Sequence, residues 1–204
     1  KKPENSERLY ANGYVNNNGK ADFNLNLSQK IGKKWSVGLL LHDDFNTNEK
    51  MDFNDDGFRD LPTGNLFAAI NRWKYEGEKG LMFQFGVKVL NENRTGGEVD
   101  FNASEDKFTT NNYGLGLKTE RYEAFAKIGY AFPEKKYKSI GLQLSAFSHD
   151  LRSYFGMNQY NADQDNFYTN LLYQSIIGTS SHKFRTGLSL VVDDYNERLN
   201  FADY

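Results

Sequence analysis

The chain has 204 residues, enough for one sizeable domain, and its 25 Lys and Arg against 27 Asp and Glu give no general attraction to nucleic acid. With no cysteine it has no disulfide, no thiolate metal site and no cysteine nucleophile. A mean hydropathy of −0.74 and the lack of any apolar run near about 18 residues exclude a membrane-spanning helix, but not a spanning sheet, whose apolar residues are diluted at every second position.

The opening Lys1, Lys2, Pro3, Glu4 and Asn5 lack the apolar stretch of a signal peptide, so the sequence reads as a truncated piece of an exported protein. Leu9 to Val15 is the first expected strand, and Asn16 to Gly19 form a turn of residues that tolerate positive φ. The second strand, from Ala21 to Ile31, alternates cleanly, with Phe23, Leu25 and Leu27 on one face and Asp22, Asn24, Asn26 and Ser28 on the other. Gly32 to Lys34 turn it into Trp35 to Phe45. A long polar loop is expected from Asn46 to Gly64, followed by a strand from Asn65 to Tyr75, a short turn over Glu76 to Gly80 and a strand from Leu81 to Leu90.

A second long loop covers Asn91 to Asn112. Tyr113 to Phe132 reads as one long strand rather than two, because that choice keeps the long loops on one rim. Pro133 to Lys138 turn into a strand containing Ile140, Leu142, Leu144 and Ala146, and a third long loop is expected at Leu151 to Gln164. Asp165 to Gly178, a turn at Thr179 to Ser181, and a strand from Phe184 to Val192 complete about nine strands, with a ragged ending from Asp193 to Tyr204. Strands of similar length, aromatics near their ends (Trp35, Trp73, Tyr75, Tyr130, Phe132) and short turns opposite long loops predict an all-β fold, an antiparallel transmembrane β-barrel. Bacterial single-chain barrels have even strand numbers, so nine points to part of a larger one. The other reading of the same alternation is a soluble sheet with its apolar face turned to a core.

The sharpest local motif is Asp52, Asn54, Asp56, Gly57, Phe58 and Asp60. It matches the first nine positions of a calcium loop: oxygen ligands at 1, 3 and 5, glycine at 6, a backbone carbonyl at 7 and an oxygen at 9. Thr63 stands where a bidentate glutamate would be, and no helices flank the loop, so it is no EF-hand. The other reading is an acidic, solvated turn. His42, His149 and His182 have no metal-ligand spacing. Ser148, His149 and Asp150 alternate across a strand and cannot form a triad among themselves, and Gly114 and Gly116 read as relief of crowding on a strand. A polar face is expected from Asp22, Asn24, Asn26, Gln84, Lys88, Glu123, Lys127, Gln143, Asn170, Gln174, Lys183 and Arg185.

Several segments resemble TonB-dependent outer-membrane receptors of the Bacteroidetes type, in their vitamin B12 or siderophore receptor-like branch. They are Ile31-Gly32-Lys33-Lys34-Trp35 with Leu39-Leu40-Leu41-His42, Met51 to Pro62, Tyr122 to Tyr130, Ser139 to His149 and Tyr173 to Ile177. The resemblance implies a 22-stranded barrel in the outer membrane of a Gram-negative bacterium, plugged by an N-terminal domain and energised through TonB. It implies active uptake of a scarce nutrient (cobalamin, a siderophore or similar) and no enzymatic chemistry. Outer-membrane lipid, a surface lipoprotein and the small nutrient ligand are the implied partners. Plug and TonB-contacting segment are not in this sequence, so the expectation is an internal barrel portion. A passive porin, an outer-membrane enzyme and a soluble calcium-stabilised sheet are the competing expectations.

Overall fold

The structure, a computed structural model, describes residues 7–202. Among the described residues nine strands form one antiparallel sheet in which each strand pairs only with its neighbours in sequence. They are β1 (Leu9–Val15), β2 (Lys20–Ile31), β3 (Trp35–Asn46), β4 (Thr63–Glu76), β5 (Leu81–Gly97), β6 (Gly114–Ala131), β7 (Ser139–Phe155), β8 (Asn158–Ile177) and β9 (Thr179–Asn200). The sheet is open, with β1 and β9 at its edges. Residues Lys1 to Asn5, Asp203 and Tyr204 lie outside the described part.

Tyr113 to Phe132 is one strand, as its parity required, and the loops after β3 and β5 share a rim. The expected third loop at Leu151 to Gln164 is not a loop: β7 runs on to Phe155, β8 starts at Asn158, and the pairs Arg152 with Asn161 and Asp150 with Asp163 continue the ladder. Gly156, at φ 59°, supports the tight turn between them. The ending is likewise not ragged, since β9 continues to Asn200 and Asp165 pairs with Asp194. The last turn is tighter than Thr179 to Ser181. It closes at Gly178, and the β8 and β9 register shifts between Ile176 and Ile177.

Residues paired in antiparallel register share a face. The twelve polar residues named above all fall on one face: Gln84, Lys127, Gln143 and Asn170 stand in one row, Lys88 opposes Glu123, and Gln174 opposes Arg185. The opposite face carries a band of apolar side chains, many of them exposed. Phe23, Leu27 and Phe85 are among the exposed large hydrophobics, and Leu188 on β9 is 78% exposed. The buried apolar side chains among the described residues are Met51, Phe101 and Ala162, so the strands enclose no dry core.

Aromatic rings collect on the apolar face near the short-turn rim. Trp35 lies 5.1 Å from Tyr75 and 6.4 Å from Trp73, Trp73 stacks at 6.3 Å on Phe85, and Tyr173 lies 5.9 Å from Phe184.

One cross-strand row runs from Leu27 through Leu39, Asn71, Val87, Ala124, Ala146 and Phe167 to Val192. It begins four residues from the short-turn end of β2 and finishes thirteen from that end of β9. The row thus climbs by about one residue per strand away from the short turns, the β9 count including the register shift between Ile176 and Ile177, and a stagger of one sense is what barrel closure requires.

Candidate functional site

Two regions concentrate polar chemistry: the polar face of the sheet and the pair of long loops on one rim. On the polar face, charges cross from strand to strand. Arg94 on β5 pairs with Asp44 on β3, lies 3.2 Å from Glu92 and donates to the Gly64 carbonyl on β4 at 3.4 Å. Lys20 on β2 reaches the same Asp44 at 3.1 Å. Further along, Lys88 lies 2.6 Å from Glu123, and Arg121 lies 3.6 Å from that carboxylate and 3.7 Å above the Phe147 ring. His42 Nδ1 sits 2.8 Å from Asn24 Oδ1, and Asp22 is 3.6 Å away. Each of these charges has a partner of opposite sign or a polar neighbour, which is how a half-buried charged surface avoids the cost of desolvation. Asp44, Glu92, Arg94 and Arg121 were missed in the sequence, although counting every second residue on from Lys88 and back from Glu123 reaches Glu92, Arg94 and Arg121.

The loop between β3 and β4 holds the calcium-like motif. Asp52 accepts from the backbone N–H of Gly57 at 2.9 Å and of Asp56 at 3.3 Å, while Asp56 accepts from the Phe58 N–H at 2.8 Å. Asn54 donates from its side-chain amide to Asp56 at 3.0 Å, and Asp60 accepts from the Phe53 N–H at 2.6 Å. Gly57 takes the left-handed conformation that its motif position requires, with φ 84°. The same carboxylates that would ligate a cation thus close the turn by themselves. Among the described residues no group of three or more His, Cys, Asp or Glu side chains converges as a metal centre.

This loop is zipped to the loop between β5 and β6. Phe58 bridges Glu98, the Arg59 N–H donates to the Gly97 carbonyl and the Val99 N–H to the Gly57 carbonyl, both at 2.9 Å. The Arg59 guanidinium adds a bond of 2.7 Å to the Phe101 carbonyl and one of 3.3 Å to that of Val99. Phe101 and Tyr154 then pack onto bare backbone. A Cβ at Gly114 would lie 2.2 Å from the Phe101 ring, and one at Gly116 would lie 2.2 Å from the Tyr154 ring. These glycines relieve crowding, as their place on a strand suggested.

Comparison with protein families, with characterised proteins and with solved structures finds no match to this chain. The geometry therefore carries the reading alone. Ser148 and Asp150 share a face with His149 on the other, so these three form no triad among themselves.

Within the second loop, Asp106 is buried and receives the Asn102 backbone N–H at 2.9 Å and the Asn112 amide at 3.2 Å. These donors stabilise the charged form and hold its carboxyl below the ordinary value of 3.8. A depressed folded-state value stabilises the loop fully above the ordinary value, and the stabilisation is lost as pH falls through the lower one. The protection factor of the Asn102 amide, its exchange rate taken relative to that of the unstructured amide at the same pH, is expected to fall below that point. In Asp106→Asn the protection factor is expected to be low already at neutral pH and to change little with acid.

Proposed function

We propose that the chain is part of the wall of an outer-membrane β-barrel belonging to an energised nutrient-uptake receptor, with the apolar face toward lipid and the polar face toward a wet lumen. The observation that carries this reading is the two-sidedness of the sheet: the exposed face is apolar and edged with aromatic rings, and the shielded face holds a paired charge ladder. The stagger from Leu27 to Val192 supports closure. Both edges need pairing in hydrocarbon, where an unpaired backbone costs several kcal/mol per group. Further strands, a plug and the contact with TonB belong to other parts of the receptor in this reading. The solute is a scarce compound such as cobalamin or a siderophore, and a surface lipoprotein would meet the long-loop rim.

The test is uptake of the labelled solute at limiting concentration by Gram-negative cells with and without the gene. Saturable uptake that needs the gene and collapses when the proton gradient is dissipated is the expected result. Flux that rises linearly with concentration and ignores the gradient would favour the passive porin instead, a reading that the charged polar face also supports.

Calcium on the Asp52 to Asp60 loop belongs to the same proposal. Asp52, Asn54, Asp56 and Asp60 would supply side-chain oxygens and Phe58 its carbonyl, stiffening an exposed rim. Titration calorimetry is expected to give heat with the unaltered chain and none with Asp52→Ala, Asp56→Ala. Equal heats in both would remove the metal.

A further inference from the structure

On the apolar face the row through Val87 and Val192 dips at its centre, where Ala124 and Ala146 stand between larger neighbours. The dip is a groove of about 680 Å³, with the two alanines as its floor and Val87, Phe167 and Val192 as walls. Its end toward the long-loop rim is polar. There Ser148, Asp165 and Asp194 stand directly opposite one another on β7, β8 and β9, on the same face as the groove.

Two carboxylates paired across neighbouring strands repel unless a cation lies between them. Neither the Asp165 nor the Asp194 side chain makes an ion pair or hydrogen bond with any described residue. The cations nearest in register on that face, Arg152 and Arg198, share one row four residues further along; Arg152 is held by Asp150 and by Asp163 at 2.7 Å, and Arg198 acts on the same Asp163. Nearby on that face, Lys118 pairs with Glu120 at 2.9 Å, and Arg198 stands opposite Asn161.

An apolar trough, open along one side, that ends at two exposed carboxylates without a paired cation matches a molecule with a hydrocarbon chain and a positively charged end. We infer that the groove seats a membrane lipid whose head carries a primary ammonium, with one acyl chain over Ala124 and Ala146 and the ammonium between Asp165 and Asp194. The carboxylates supply acceptors for its three N–H donors, and a head that carries only phosphate is repelled. This inference rests on the reading of the apolar face as lipid-facing.

Native mass spectrometry of the full chain, released from bilayer discs with equal parts of phosphatidylethanolamine, phosphatidylcholine and phosphatidylglycerol of identical chains, tests it. Phosphatidylethanolamine is expected to be retained several-fold over the other two. Asp165→Asn with Asp194→Asn is expected to equalise the three heads while the total lipid retained stays the same. Ala146→Leu, which fills the floor, lowers all three. Retention that ignores the head in the unaltered chain overturns the inference. So does a preference for phosphatidylglycerol that appears only with magnesium, which would assign the carboxylates to a metal bridge. Flotation of the same chain with vesicles separates the two readings: a chain that floats but shows no head preference loses only the groove, whereas one that stays in the buffer loses the membrane reading itself.

Discussion

Leu171→Arg is expected to destabilise the chain in a bilayer by about 2–4 kcal/mol, whereas Asn170→Arg, its immediate neighbour, is expected to cost less than about 1 kcal/mol. Leu171 lies on the exposed apolar face, opposite Leu142 and Leu188, well inside the band. In the proposed lipid-facing reading an arginine there must either stay in hydrocarbon or bend toward the interface, and both cost free energy. Asn170 points to the polar face, in the row of Gln143 and Ser189, where a guanidinium finds water and acceptors. Denaturant titration of the two variants in lipid vesicles, followed by tryptophan fluorescence, measures the difference. In a soluble sheet with an apolar core Leu171→Arg would again be costly, so the titration is repeated in buffer. A chain as stable in buffer as in vesicles would overturn the assignment of the two faces.

The second large effect is expected at Arg94. Its guanidinium joins Asp44 on β3, Glu92 on its own strand and the Gly64 carbonyl on β4, and both Arg94 and Asp44 are mostly shielded from solvent. Arg94→Met leaves the Asp44 carboxylate with Lys20 alone and brings it no replacement donor. Removing one partner of a fully buried pair costs about 3–5 kcal/mol, and the remaining Lys20 contact places this loss at about 2–3 kcal/mol. Asp44→Asn in the same chain is expected to restore part of the loss, because the uncompensated charge is then gone. A double-mutant cycle in detergent micelles should therefore give a coupling of about 1–2 kcal/mol. Simple additivity of the two substitutions would mean that the pair is geometrically close but energetically idle.

Why some strands were legible and others hidden follows from the side chains on each face. Phe23, Leu25 and Leu27 alternate with Asp22, Asn24 and Asn26 because one side of β2 is apolar and the other polar, so the pattern states the strand outright. Beyond the apolar band this contrast disappears. Asp150, Arg152, Asn161 and Asp163 occupy the face that Ala146 and Phe167 hold lower down, so Leu151 to Gln164 reads as a polar loop while the backbone ladder runs through it unbroken. Asn91 to Gly97 and Asp193 to Asn200 were hidden for the same reason. Periodicity reports a difference between two faces; it does not report hydrogen bonding. The candidate sites were legible to a similar degree. The Asp52 to Asp60 motif could be read from spacing, but the Arg59 clasp on the Phe101 carbonyl depends on a loop some forty residues further along, which no local pattern encodes.

The neighbour-to-neighbour order of the sheet has a kinetic consequence. Every pairing from β1 to β9 joins consecutive segments, most across tight turns and two across the long loops after β3 and β5, so chain entropy opposes each step only modestly. Assembly can begin at any turn and spread both ways. The free sides of β1 and β9 have no sequence neighbour to pair with, so the long β9 border, with its row of open backbone groups, is the most adhesive part of the sheet.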